Sequence, residues 1–268
     1  MNSVNFVPET PEEVLTALSE EDLRELAFSF SLPESLQQKN PSFYRLYGGM
    51  RNAVVLAKFS EQEMFVLTIY KPSPTARQRV RRSLGVSKFL CKKDFLVPCF
   101  LETKHNKDFL ELELLGVKRY ISFHRFRGGR KIFPYGLEQI VPAGKFLSQL
   151  HKALREFPSK ELLRPFPEEE INGDQEFTVL HMDYARGNIL FDLDGTEVVG
   201  VLDFEEATWG PPVADIGKSL AISTKDNKDL SRRVMVDCFL DGYNSGPLLI
   251  EDRKLVNKWI DHFAPMIV

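Results

Sequence analysis

The chain has 268 residues, of which 43% are hydrophobic and 27% charged, enough for one large domain or two modest lobes with a substantial core. A formal charge of −3 gives no general attraction to nucleic acid or to acidic membranes, so neither is expected as a partner. No run approaches the roughly 18 apolar residues that a membrane span needs.

Two helix starts open the chain. Thr10-Pro11-Glu12-Glu13 combines a cap residue, a proline at the first helical position and a glutamate three residues after the cap; Ser19-Glu20-Glu21-Asp22 repeats that logic. Tyr44 to Tyr47 then leads into Gly48-Gly49, and Ala53 to Phe59 and Met64 to Tyr70 read as paired strands about a polar turn. A basic helical segment is expected over Thr75 to Lys93, with strands near Leu96 to Glu102 and Phe109 to Leu115. Val117 to Phe126 reads as an extended connector, and Gly128-Gly129 as a break. From about Pro142 the pattern turns helical, with Phe146, Leu147, Leu150, Leu154 and Phe157 on one face. The tail from Asp215 reads as helices broken at Gly242 and at Ser245-Gly246-Pro247. The first half is thus mostly sheet and the second mostly helix, with a hinge near residues 120–130. Cys91, Cys99 and Cys238 are scattered without a C-x-x-C pair, which argues for a reducing compartment and against structural zinc. The N-terminal MNSVNFVPETPEE has no basic or apolar leader region, so a cytoplasmic globular protein is expected.

Chemistry concentrates in VLHMDYARGNILFDLDGTEVVGVLDF, Val179 to Phe204. Asp194-Gly195 is a strong hairpin signal between apolar runs, with Asp192 and Asp194 as turn residues. Folding about it brings Asn188 on one strand close to Asp203 on the other, with Asp183 just upstream. An Asn and an Asp together offer hard oxygen ligands to Mg²⁺, and a carboxylate five residues before the Asn can accept a proton from a hydroxyl. Phosphoryl transfer needs a base, metal ligands and little else from the protein.

With the spacing H-x-D-x-x-x-x-N, an apolar hairpin and then Asp-Phe, the chain resembles the protein-kinase-like fold as used by the aminoglycoside phosphotransferase and choline kinase superfamily. The resemblance implies an α+β, bilobal fold: an antiparallel-sheet lobe over residues 1–119, a hinge over 120–131 and a mostly helical lobe over 132–268. It implies ATP and Mg as cofactors, Asp183 as catalytic base, His181 as the residue that orders the catalytic loop, Asn188 and Asp203 as metal ligands, and Asp215 as the brace of that loop. Gly48 and Gly49 resemble the glycine-rich turn over the nucleotide phosphates, and Ile121, Ser122 and Phe123 fall where the hinge offers backbone groups to adenine. Phe65 to Tyr70 and Asp241-Gly242-Tyr243 are similar to type II homoserine kinases; Gly128-Gly129-Arg130 and Tyr70-Lys71-Pro72 resemble bacterial stress-response serine/threonine kinases.

The pattern departs from its relatives at one place. Thr68 stands where most carry the strand cation, and the helix after it has no acid, only Arg77, Arg79, Arg81, Arg82, Lys88, Lys92 and Lys93. Another cation, Lys71 or Arg82, is expected to meet the phosphates. Glu205 and Glu206 lie near the expected substrate mouth, where acids bind an amine. The expected activity is transfer of the γ-phosphoryl group of ATP to the hydroxyl of a small molecule, with amine-bearing compounds among the candidates; a stress-response type protein kinase and a nucleotide-binding regulatory protein are the alternatives.

Overall fold

The computed structural model describes residues 10–46, 51–166 and 176–267. Two compact units divide the chain. One takes the residues up to Arg81 together with Cys99–Phe126, the other Arg82–Pro98 together with everything from Arg127. The chain passes between the units at Arg81/Arg82, Pro98/Cys99 and Phe126/Arg127.

The first unit opens with α1 (Pro11–Ala17) and α2 (Glu20–Phe28). Both carry the capping boxes that the sequence announces. The Glu13 N–H donates to Thr10 Oγ1 at 3.2 Å and the Thr10 N–H to Glu13 Oε2 at 2.7 Å; Ser19 and Asp22 repeat the exchange. Five strands follow: β1 (Ser42–Leu46), β2 (Ala53–Lys58), β3 (Met64–Ile69), β4 (Leu110–Leu114) and β5 (Val117–Arg125). They form one antiparallel sheet in the order β1-β2-β3-β5-β4. Strand alternation puts Val55, Ala57, Phe65, Leu67 and Ile69 on the face that packs on Leu15, Leu23, Ala27 and Phe30 of the helical lead-in. Val117 to Phe126 is therefore no connector. It supplies β5, the strand beside β3, because its apolar residues are buried on both faces. The stretch expected as a strand over Leu96 to Glu102 makes only an isolated bridge, Phe100 with His124. His124 is buried against Phe100, and burial lowers its pKa to about 4.

Helix α3 (Ala76–Cys91) runs from the first unit into the second. The second unit is built on α4 (Leu137–Leu154), the short strands β6 (Arg164–Pro165), β7 (Thr178–Leu180), β8 (Ile189–Phe191), β9 (Val198–Val201) and β10 (Thr208–Gly210), and then α5 (Pro212–Asp226), α6 (Arg232–Asn244) and α7 (Arg253–Phe263). Strands β8 and β9 pair antiparallel, and β10 joins β7 antiparallel and β6 parallel. Helix α4 begins five residues before the proline at which the periodicity starts. Gln139 explains the early start: its Oε1 accepts from the Gly136 N–H at 2.9 Å, and its Nε2 donates to the Gly195 carbonyl at 2.7 Å, tying the helix to the hairpin turn.

Gly242 does not break the tail. It lies inside α6, where an added Cβ would fall 2.0 Å from the Val141 carbonyl oxygen; at Gly144 on α4 one would fall 2.2 Å from that of Phe239. Glycine here lets α4 and α6 meet backbone to backbone. Gly242→Ala is expected to cost about 1–3 kcal/mol through overpacking, seen as a lower urea midpoint at unchanged slope. Cys238 is a free thiol. Among the described residues no helix is long and apolar enough to cross a membrane.

Candidate active site

The His181 to Asp203 segment lies wholly in the second unit, and a buried carboxylate organises it. Asp215, in the first turn of α5, accepts the His181 N–H at 2.7 Å on Oδ2 and the Met182 N–H at 2.8 Å on Oδ1. The His151 Nε2 on α4 donates to Oδ2 at 3.0 Å, and the Tyr243 hydroxyl on α6 lies 2.9 Å from His151 Nδ1. With a carboxylate at Nε2, that nitrogen carries the proton and Nδ1 accepts from the tyrosine. Burial alone would raise the Asp215 pKa, but the His151 hydrogen bond and the neighbouring histidines and N–H groups outweigh it and hold the carboxyl below its ordinary value. Three helices thus fix two consecutive N–H groups of the loop. That grip holds Met182 at φ 61°, a left-handed conformation that a non-glycine residue keeps only when its surroundings enforce it.

His181 is fully buried and both ring nitrogens are engaged. Nε2 donates to the Leu202 carbonyl at 2.8 Å, and Nδ1 accepts the Asp183 N–H at 3.2 Å. The ring therefore links the loop to the strand that leads into Asp203 and has no lone pair for a substrate.

A single 3₁₀ turn over Arg186–Asn188 folds the chain back on itself. Asn188 Nδ2 then donates to the Asp183 carbonyl at 3.0 Å and to its Oδ2 at 2.8 Å. The Asn188 main chain is fixed by the Leu202 N–H, which donates to its carbonyl at 2.8 Å. Across the hairpin, Asp203 is exposed at φ 62° and accepts the Glu205 N–H on Oδ1 at 3.1 Å. Burial raises the Asp183 pKa; His181 lowers it, the Asp203 charge raises it, and Lys218 and the Asn188 hydrogen bond lower it, with a net shift upward. The hairpin forms as its sequence directs: Gly195 has φ 77°, and Asp192 Oδ1 accepts the N–H groups of Thr196 at 2.8 Å and Glu197 at 3.1 Å.

Asn188 and Asp203 fit a hard cation. The amide nitrogen of Asn188 faces Asp183, which leaves Oδ1 without a hydrogen-bond partner among the described residues, and Asp203 keeps one carboxylate oxygen uncommitted. Among the described residues no group of three or more His, Cys, Asp or Glu forms a cage of its own. A two-ligand site completed by phosphate and water needs none.

Other expected site residues fare differently. Gly48 and Gly49 lie outside the described residues. Ile121, Ser122 and Phe123 are fully buried in mid-strand, paired with Ile69, Thr68 and Leu67 of β3, and the Phe123 carbonyl accepts the Leu101 N–H at 2.8 Å. Their backbone is paired in the sheet, and the strand ends at Arg125. Lys71 lies just past β3, where its N–H donates to Asn52 Oδ1 at 3.1 Å. Arg82 does not stand open to a phosphate. It is buried, donates from Nε to the Leu162 carbonyl at 3.1 Å and from Nη1 to the Glu205 carbonyl, and docks α3 on the loop after Asp203. Glu205 is 2% exposed and Glu206 pairs with Arg164, so neither is presented as a free acid to an amine. Sequence reasoning missed Lys131, which lies along the catalytic loop, and Lys218, which acts on Asp183. The only signal was position, directly after Gly128-Gly129-Arg130 and one turn beyond Asp215.

Residues 160–243 match the phosphotransferase enzyme family. Comparison with curated proteins finds no match. Among solved structures the chain is similar to a microcompartment-associated aminopropanol kinase, at 14% identity and TM-score 0.68 over 92% of this chain and 94% of the other. It is similar also to an amicoumacin kinase in complex with AMP-PNP, Ca²⁺ and Ami (14%, TM-score 0.66, 94% and 89%) and to a spectinomycin phosphotransferase bound to ADP and spectinomycin (14%, TM-score 0.62, 92% and 84%). The antiparallel sheet, the braced loop and the matched segment agree: the chain has the fold of these phosphotransferases, and residues 160–243 resemble the phosphotransferase enzyme family.

Proposed function

We propose that the protein transfers the γ-phosphoryl group of ATP, with Mg²⁺, to the hydroxyl of a small molecule. The observation that carries this reading is the geometry of Asp183. Asn188 grips its Oδ2, and His181, which receives its N–H, is used up as a structural link. Asp183 is thereby the one carboxylate of the loop oriented for proton transfer. Burial and the Asp203 charge move its pKa upward, toward the range where a base works best, despite the opposing His181, Lys218 and Asn188 contributions.

In the reaction the acceptor oxygen forms a bond to the γ-phosphorus, its proton passes to the Asp183 carboxylate, and the bond from the γ-phosphorus to the bridging oxygen breaks, releasing ADP. Asn188 Oδ1 and the Asp203 carboxylate would hold the metal, which supplies neutralisation of phosphate charge when bound. The rest of the chain's contribution is positioning: Asp215, His151 and Tyr243 keep the loop in its left-handed turn, and Arg82 fixes the segment after Asp203. The similarity to an aminopropanol kinase and a spectinomycin phosphotransferase supports a small hydroxyl compound over a polypeptide.

The test is ³¹P NMR of Mg·ATP with panels of amino alcohols, hydroxy acids and aminoglycosides. A new phosphate-ester resonance that grows with ADP and requires Asp183 is expected. Nucleotide that binds but is turned over equally by wild type and Asp183→Asn would instead describe a regulatory nucleotide-binding protein.

A further inference from the structure

The Gly128-Gly129-Arg130 stretch has a structural task that ends at the catalytic loop. The Arg130 N–H donates to the Phe191 carbonyl at 2.7 Å, the Phe191 N–H returns to the Arg130 carbonyl at 2.9 Å, and the Arg130 guanidinium donates to the Leu193 carbonyl at 2.6 Å. Gly129 makes the approach possible: at φ 145°, a Cβ there would fall 2.8 Å from the Leu190 Cβ. This strap on β8 fixes the next residue, Lys131. A Cβ added to Gly187 would meet the Lys131 Nζ at 3.3 Å and its Cδ at 3.5 Å, so the lysine arm lies along the loop between Asp183 and Asn188. Lys131 is exposed and has no ion pair among the described residues.

A second ammonium approaches from α5. Lys218 stands one helical turn after Asp215, half-buried, with its Nζ 6.0 Å from the Phe263 ring centroid and no ion pair among the described residues. Its charge is felt at Asp183. Of the other acids expected near the substrate, Glu205 is buried and Glu206 pairs with Arg164, which leaves Asp183 and Asp203, the base and a metal ligand in the proposed reaction, as the carboxylates of this edge.

We propose that the acceptor is anionic, carrying a carboxylate or phosphate near the hydroxyl that receives the phosphoryl group, and that Lys131 and Lys218 select for that charge. An amine-bearing acceptor would meet the like charge of Lys131 along the loop at Gly187 and that of Lys218, whose field reaches Asp183. An anionic one is drawn in and held, so the same lysines attract the right partner and repel the wrong one. The inference rests on the reading of Asp183 as the base and reverses the acceptor charge expected from Glu205 and Glu206.

The experiment is steady-state transfer from Mg·ATP to alcohols matched in shape and differing in charge: glycerate, glycerol 3-phosphate, glycerol and 3-aminopropane-1,2-diol, then 4-hydroxybutyrate, butan-1-ol and 4-aminobutan-1-ol. The anionic members are expected to exceed the neutral ones in kcat/KM by about tenfold or more, the worth of a charged hydrogen bond. The glycerate and glycerol 3-phosphate arms separate carboxylate from phosphate. Lys131→Gln and Lys218→Gln should each erode the preference through acceptor KM, with the ATP KM little changed, and Lys131→Arg should retain it. Asp183-dependent turnover that prefers neutral or cationic alcohols, that no anionic alcohol accelerates, or whose preference survives both glutamine variants overturns the proposal alone. Turnover that is equal in wild type and Asp183→Asn overturns the assignment of the base and this proposal with it.

Discussion

Asp183→Asn is expected to lower turnover by roughly 10²–10⁴, the usual worth of a positioned general base, with nucleotide affinity almost unchanged. Asparagine keeps the shape and an acceptor oxygen for the Asn188 amide, so the loop geometry survives. What it loses is the lone pair that takes the acceptor's proton. That interaction matters most in the transition state, so the loss belongs in kcat and not in KM. Rapid-quench measurement of ATP consumption with an active acceptor, or of slow hydrolysis without one, reads it. His181→Ala should act less directly: it frees the Asp183 N–H and the Leu202 carbonyl, loosening the loop.

The second large effect belongs to Asp215→Ala. This side chain is fully buried and accepts from two loop N–H groups and from His151. Removing it strands three buried donors, for which a cost of about 3–5 kcal/mol is expected, a large part of a domain's roughly 5–15 kcal/mol. Urea unfolding should show a much lower midpoint, and activity should vanish even in buffer where the variant stays folded, because Met182 loses the bond that enforces its left-handed turn. Acid should reveal the same group. The folded Asp215 carboxyl sits below its ordinary value of 3.8. Its stabilisation is therefore present above the unfolded pKa and disappears as pH falls through the depressed folded one. Asp215→Asn should flatten that acid limb in a stability profile across pH 2–5.

The sequence made the catalytic segment readable because its constraints are local. The Asp194-Gly195 turn, the five-residue step from Asp183 to Asn188 and the apolar runs of β8 and β9 need nothing distant to define them. The helix caps at Thr10 and Ser19 are local for the same reason. Misreadings arose where tertiary packing decides. Residues 117–125 look like a connector until β3 and β4 flank them. Gly242 reads as a helix breaker until α4 is seen passing within van der Waals distance. Arg82 reads as a free cation on a basic helix until the Leu162 and Glu205 carbonyls are seen to hold it. No periodicity announces that Lys131 will lie along Gly187, because the strap that puts it there pairs residues 61 positions apart, Arg130 with Phe191.

At the centre stands the claim that the hairpin edge formed by Asn188 and Asp203 holds a metal–nucleotide complex beside Asp183. Calorimetric titration of ATP with and without Mg²⁺, on wild type and on Asp203→Ala, tests it most directly. Exposed Asp203 carries little of the fold, so the variant should remain folded. The account predicts that Mg²⁺ tightens ATP binding to the wild type and that Asp203→Ala abolishes the tightening while leaving metal-free affinity in place. Equal ATP affinity with and without Mg²⁺ in the wild type, or full metal-dependent tightening in Asp203→Ala, would contradict it.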